Sequence, residues 1–519
     1  MNLIKKNIHM NREKSVANTQ IPLEEDVNIS DKNPDAGRII TQKGIVQIED
    51  MQIGNEAVKI SGHLNYSVLY LAEDESMKPC LMKGRIFFEE TVHMEGLNKS
   101  EDVQVKAVVE DINVSLINSR KISVQALILL QLKAEELYDE ELVVDVETTT
   151  PMEVQKKSLE TTGLTVNMKD LYRIREEIPL PAEYPGIYHV LWSDYNLMDM
   201  EWKLMEGQLG VSGQLQLFIL YESDEQEGDF RTFECVRPIN GTLQIPDCRE
   251  DMIGDITHEV EHVTIEPRAD FDKEERIFSV DMALHVYIKI LEQKTIQVVN
   301  DVYGYQEALE PIRTESFCSK LVGKNIVKKR IQETISVMSN YIPIKKVCYT
   351  EGFLVEEDYR VFDNEVVLQG ICKMKSLCIS EGREHGYVCV EKDIPYEIKV
   401  PVKGCTSRDR AVVTTTMDRA DATVIKENEL EMKGIIKAEV LVFSGTGNSI
   451  LSRINKVETD AVILDEGPAM AVYIAGKNDT LWNVGKQYRV PIDELKENNH
   501  LTTDNLEAGQ KILVVKSMK

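Results

Sequence analysis

Apolar and polar residues alternate with a period of two along most of this chain. In residues 207–221, Leu215, Leu217 and Ile219 fall on one side of the pattern, and the acidic turn 222–226 follows. Alternation bounded by turn formers predicts half-buried antiparallel strands. The same pattern occurs three times, at 56–70, at 207–221 and more faintly at 365–378, anchored by Gly62, Gly213 and Gly370, which lie 151 and 157 residues apart. Further strand-like runs follow each anchor, at 103–109 and 122–132, at 256–265 and 277–290, and at 411–416 and 430–443. Each repeat is long enough for a β-sandwich with a core of Val, Ile and Leu. The three glycines, set inside strands, mark a bulge or bend where a side chain would clash.

The remaining segments read differently. Residues 1–20 are polar and aperiodic, which predicts disorder. Residues 151–177 and 305–337 are charged and more helix-prone, and are expected to be linkers. The expected domains are therefore repeat 1 over 21–150, repeat 2 over 178–304 and repeat 3 over 338–464. A short linker at 465–470 follows, with few contacts crossing it, and then a C-terminal module over 471–519. That module opens with a strand at 471–474. A first helix is capped at Asp479 and carries Leu481, Val484 and Tyr488 on one face. Pro491 opens a second helix, with Ile492 and Leu495 buried, that ends at Asn498-Asn499, and 509–515 form a turn and strand. Gly485 sits inside the first helix at a cost of about 1 kcal/mol in propensity, which predicts a close neighbour. The fold class is mainly β: three tandem β-sandwich-like repeats followed by a small β-α-α-β domain.

Charge narrows the partners. The 519 residues include 60 Lys+Arg and 88 Asp+Glu, for a formal charge of −28. Such a chain is a poor general nucleic-acid binder and a poor ligand for anionic lipid, so neither nucleic acid nor direct membrane insertion is expected. Residues 1–10 lack the apolar run of an export signal, and the most apolar stretch, 126–132, is interrupted by Gln131. Nine cysteines cannot all pair, which favours a reducing compartment.

Three motifs could carry chemistry. His258-Glu259-Val260-Glu261-His262 fits the zinc-protease pattern, but Ile256, His258, Val260 and His262 alternate as in a strand. There the two imidazoles would share a face about 13 Å apart and could not hold one ion. Cys372, Cys378, Cys389 and Cys405, with His385 nearby, contain no C-x-x-C pair and read as buried thiols. Residues 444–449, Ser-Gly-Thr-Gly-Asn-Ser, read as a hairpin turn rather than a phosphate cradle. No catalytic residue, metal or cofactor is expected, and the chain is read as no enzyme.

The C-terminal module resembles the LysM domain through Tyr473, Asp479-Thr480-Leu481-Trp482, Val484, Tyr488, Leu495, Asn499 and Leu506-Glu-Ala-Gly509-Gln510, in the order and spacing of that family. LysM domains usually bind N-acetylglucosamine polymers between two loops. The resemblance implies a groove formed by Asn478, Asp479, Thr480, Leu481 and Trp482 on one side and Asn499, His500 and Leu501 on the other. Asn478 stands where the family usually has Gly, Val484-Gly485 where it has Ile-Ala, and His500 where it has Pro. The three repeats resemble SPOCS domains of sporulating Clostridia, and their combination with one LysM module resembles clostridial spore-coat morphogenetic proteins. That resemblance implies a non-enzymatic scaffold in the mother-cell cytoplasm, at the forespore surface and spore coat. Its LysM module would dock on the coat-basement ATPase, stage IV sporulation protein A, while other coat proteins bind elsewhere. The competing reading is a LysM protein that binds peptidoglycan or another N-acetylglucosamine glycan and tethers the scaffold to cell wall or cortex.

Overall fold

A computed structural model describes residues 1–74, 77–99, 101–226, 228–316, 318–337, 343–380, 386–426, 428–445, 447–457 and 470–515. All three repeats follow one plan. The first comprises β1 (Asn2–Asn28), β2 (Ala36–Ile53), β3 (Ala57–Ala72), β4 (Pro79–His93), β5 (Asp102–Asn118) and β6 (Lys121–Glu147). They form two antiparallel sheets, ordered β2-β3-β4 and β1-β6-β5. The second comprises β7 (Met152–Pro179), β8 (Ile187–Met205), β9 (Gln208–Ser223), β10 (Phe230–Gln244), β11 (Ile253–Ala269) and β12 (Glu275–Gly304), with sheets β10-β9-β8 and β11-β12-β7. After β13 (Ala308–Ser316), the third runs through β14 (Lys320–Ser336), β15 (Ile344–Phe362), β16 (Glu365–Ser380), β17 (Tyr387–Pro401), β18 (Arg410–Lys426) and β19 (Glu429–Ser444). Its sheets are β15-β16-β17 and β14-β19-β18. In every sandwich the first strand returns to pair with the last.

That closure corrects three expectations. Residues 1–20 are not disordered but lie in β1, in continuous register with β6. Residues 151–177 are not a linker but most of β7, and 305–337 hold β13 and β14. The sandwiches therefore begin at their first strands, ahead of the expected starts at 21, 178 and 338. These are edge strands with one face in water, so charge dilutes their alternation. Within the sandwich, β1 buries Ile21, β7 buries Ile174 and Ile178, and β14 buries Ile331. Residues 465–469 of the expected linker lie outside the described residues.

The anchor glycines behave as expected. Opposite each one the neighbouring strand bulges, at Ile48/Asp50, Met198/Glu201 and Glu356/Asp358. A Cβ on Gly62 or Gly370 would strike the carbonyl oxygen of Gln47 or Val355, and one on Gly213 would strike Met200.

The repeat register also sets how the sandwiches meet. Leu69, Leu220 and Leu377, each seven residues past its glycine, join one shared apolar cluster with Ile40, Trp192, Phe218 and Tyr349. Next to it the corresponding positions of β2, β8 and β15, paired with Ser67, Phe218 and Lys375, carry Lys43, Asp194 and Glu351. Lys43 pairs with the buried Asp194, while Lys375 pairs with Glu391 and donates to the Gln42 carbonyl at 2.8 Å. Beyond the sandwiches the long strands β1/β6 and β7/β12 continue as two-stranded ribbons. The third ribbon is separate, made of β13 and β20 (Asn448–Val457). The three ribbons pack through Met10, Leu142, Leu159, Val298 and Ile450, and then through Val143, Val302 and Leu451. Residues 444–449 therefore connect β19 to β20 in a different sheet and do not close a hairpin; Thr446 is outside the described residues.

Candidate interaction site

The C-terminal module has its own small core. β21 (Met470–Ile474) pairs antiparallel with β22 (Lys511–Val515), and α1 (Leu481–Tyr488) and α2 (Ile492–Asn499) pack on them. Leu481, Val484, Val490, Leu495, Leu506, Ile512 and Val514 fill the interior. The cap of α1 is Thr480 rather than Asp479: the Thr480 hydroxyl accepts the Asn483 amide at 3.4 Å. Asp479 instead ties the preceding loop, accepting the Tyr473 hydroxyl at 2.5 Å and the Gly476 amide at 2.7 Å. The Tyr473 bond holds the Asp479 carboxyl below its ordinary value.

The expected groove is only partly open. Asn478 and His500 are exposed, each with positive φ (69° and 53°), a conformation that an asparagine tolerates where the family usually has glycine. Thr480 bridges to Asn505, and the Leu481 amide donates to Asp504 at 2.8 Å, so the two loops are laced together. Asn499 is a clamp: its Nδ2 donates to the carbonyls of Leu495 (2.9 Å) and Leu513 (2.8 Å), and its Oδ1 accepts the Leu513 amide at 2.7 Å. Leu501 packs on the module core. Leu481 and Trp482, expected at the groove rim, are both buried: Leu481 in the module core, Trp482 against another part of the chain.

That other part is the β7/β12 ribbon. The Trp482 indole N–H donates to the Asp301 carboxylate at 3.0 Å, and Lys486 donates to both of its oxygens at 2.6 and 2.7 Å. Burial alone would raise the Asp301 carboxyl, but the Lys486 and Trp482 bonds overcome it and hold the group below its ordinary value. Tyr303 packs edge-on against Trp482, with centroids 4.9 Å apart, and its hydroxyl donates to the Val490 carbonyl at 2.9 Å. Glu153 accepts the Ile492 amide at 3.2 Å and the Tyr305 hydroxyl at 2.7 Å. Gly485 is the close approach that its helix position predicts: a Cβ there would collide with the Tyr303 hydroxyl. Contacts between module and repeats are thus specific, contrary to the expectation of few. Sequence reasoning missed Asp301, Tyr303 and Glu153; Gly485 was the one signal that pointed to them.

Docking turns the opposite face outward. Met470, Val472 and Ile474 on β21 are 61%, 59% and 63% exposed, an apolar row where a strand face would ordinarily be polar.

The zinc-protease pattern fails for a second reason. His258 lies in β11 beside the inward Ile256 and Val260, its ring 5.7 Å from that of Trp202, and burial pushes it down to about 4. A bulge between Val260 and His262 then shifts the alternation, so that Val263 and Ile265 face inward and His262 is exposed. The two histidines do not share a face, as was expected, but point to opposite ones. Cys372, Cys378 and Cys405 are buried free thiols and Cys389 is half-buried. Burial pushes Cys372, Cys378 and Cys389 up to about 12, far from a reactive thiolate. His385 lies outside the described residues, and among these no group of three or more His, Cys, Asp or Glu side chains could hold a metal ion.

Comparison with known families matches residues 35–117 and 186–268 to the SipL, SPOCS domain family and residues 473–515 to the LysM domain family. The first two segments are β2–β5 and β8–β11, the same part of two successive sandwiches. No curated protein and no solved structure matches the chain.

Proposed function

We propose that this sporulation protein, built from SPOCS domains and a LysM module, is a non-enzymatic spore-coat morphogenetic scaffold. Its LysM module binds the coat-basement ATPase, stage IV sporulation protein A, and the sandwiches present surfaces to other coat proteins, promoting coat encasement of the forespore from the mother-cell side. Neither matched domain family is catalytic. The observation that carries the choice of a protein partner is the LysM surface itself. Asn499 is committed to backbone bonds and Leu481 to the core, so the groove offers a sugar few free polar groups, while Met470, Val472 and Ile474 offer apolar area. A few central residues supply most protein–protein affinity, and an exposed apolar row rimmed by polar residues marks such a surface.

The test is titration of the full chain with the purified ATPase and, separately, with an N-acetylglucosamine oligomer. Val472→Asp with Ile474→Asp is expected to weaken ATPase binding at least tenfold, about 1.4 kcal/mol, with no change in the oligomer titration. Oligomer binding that is lost in Asn478→Ala/His500→Ala, together with no ATPase binding, would favour the wall-tethering reading instead.

A further inference from the structure

We propose that a cationic pocket at the junction of the three sandwiches is a binding site for a small phosphate-bearing anion, of which inorganic pyrophosphate is the simplest. The pocket holds about 230 Å³ and draws its lining from all three repeats. Lys133 and Lys289 occupy equivalent places, eleven residues past Ile122 on β6 and past Phe278 on β12, which open the buried rows of those strands. The third equivalent is Leu441, and the third sandwich supplies Arg408 and Arg410 instead.

The charges do not cancel. Glu135 accepts Lys289 at 2.6 Å and lies 3.0 Å from Lys133, which also lies 3.5 Å from Glu13, so both lysines are matched and the excess charge is that of the arginines. Burial would raise it, yet the two lysines bring it down to about 2, so it stays ionised. Asp255, the other acid in the wall, is pushed up by burial, and with Glu135 it sets two carboxylates against Lys133, Lys289, Arg408 and Arg410. Arg12 is matched outside the pocket by Glu136 at 2.7 Å. Among the described residues neither Arg408 nor Arg410 is paired with a carboxylate, although the chain carries a net −28. Two guanidiniums without a carboxylate, set beside two lysines, repel their neighbours unless an anion joins them.

Chemistry and size select the ligand. Planar guanidinium forks match the oxygens of phosphate bidentately, with lysines as supporting point charges. The volume falls below the roughly 300–1,000 Å³ of pockets that enclose drug-sized ligands. It suits a phosphate or diphosphate group and is too small to enclose a sugar and base as well. Because its donors come from three sandwiches, the ligand would also hold them together and raise the melting temperature by mass action.

Calorimetric titration of the full chain with pyrophosphate, and in parallel with ATP, near physiological salt is the test. Micromolar binding of pyrophosphate is expected, at least tenfold tighter than ATP, with a ligand-dependent rise in melting temperature. Arg408→Gln/Arg410→Gln replaces exposed side chains and should weaken that binding at least tenfold. Arg330→Gln, exposed on β14, should leave it unchanged. No heat from the unaltered chain at millimolar pyrophosphate would overturn the proposal. So would equal affinity in the double variant, or tighter binding of ATP.

Discussion

Trp482→Ala is expected to release the LysM module from the ribbon at a cost of about 3 kcal/mol while leaving the module itself folded. Truncating a buried tryptophan to alanine costs about 3–5 kcal/mol. Trp482 is 8% exposed, and its partners Asp301 and Tyr303 belong to the ribbon rather than to the module's core cluster. The substitution also removes one of the donors that keep the buried Asp301 carboxylate satisfied, which adds to the loss. Hydrogen exchange reads the result residue by residue. The Ile492 amide, bonded to Glu153 across the interface, should exchange about a hundredfold faster. Amides of β22 should keep their protection, because their partners lie inside the module. Loss of protection in both places would mean that Trp482 holds the module's own fold. Gly485→Ala reads the same interface with a reversed sign. In an ordinary helix that change stabilises by about 1 kcal/mol, whereas here the new methyl meets the Tyr303 hydroxyl and should destabilise docking. Tyr303→Phe in the same chain should recover part of the loss, and a strictly additive double variant would sink the idea.

What the sequence reveals divides along the range of the contacts involved. β3 and β9 were legible because Leu64 and Tyr66, like Leu215 and Leu217, bury one face of a strand whose neighbours are close in the chain. β1 was not legible. Its alternation is broken by Lys5, Lys6, Arg12, Glu13 and Lys14, and some of these are answered only on β6, as in the Lys5–Glu141 and Arg12–Glu136 pairs. A polar edge strand and a disordered tail look alike until the partner strand is known. The LysM module was legible for the opposite reason, since its helices and sheet close over a few dozen residues. Its cap moved by one position because Asp479 has a competing bond from Tyr473. Its interface with the ribbon rests on pairs about 180 residues apart, and only the cavity implied by Gly485 left a local trace.

The contact between the three sandwiches around Lys43, Asp194 and Glu351 should weaken as pH rises toward 7, and Glu351→Gln should remove that dependence. Its charged groups are Lys43 on β2, Asp194 on β8, Glu351 on β15, Lys375 on β16 and Glu391 on β17, with Tyr195, Tyr349 and Cys389 nearby. Two lysines face three carboxylates, and both lysines are engaged, Lys43 by Asp194 and Lys375 by Glu391. Burial, followed by repulsion from Asp194, pushes Glu351 up to about 7. A carboxyl in the unfolded chain titrates near 4.3. Between those values the folded chain keeps a proton that the unfolded chain has released, so stability falls as pH rises through this window and levels off above it. The accumulated loss is on the order of 3–4 kcal/mol above pH 7 and vanishes below about pH 4. Glutamine keeps the shape without the charge. Denaturant unfolding at pH 4.5 and at pH 8 should show the variant near parity with the unaltered chain at the lower value and more stable at the higher one. Other carboxylates titrate in both chains and cancel in the difference. An equal difference at both pH values would mean that Glu351 is ionised throughout, with Lys43 or Lys375 shared between two acids, and that the junction carries no proton.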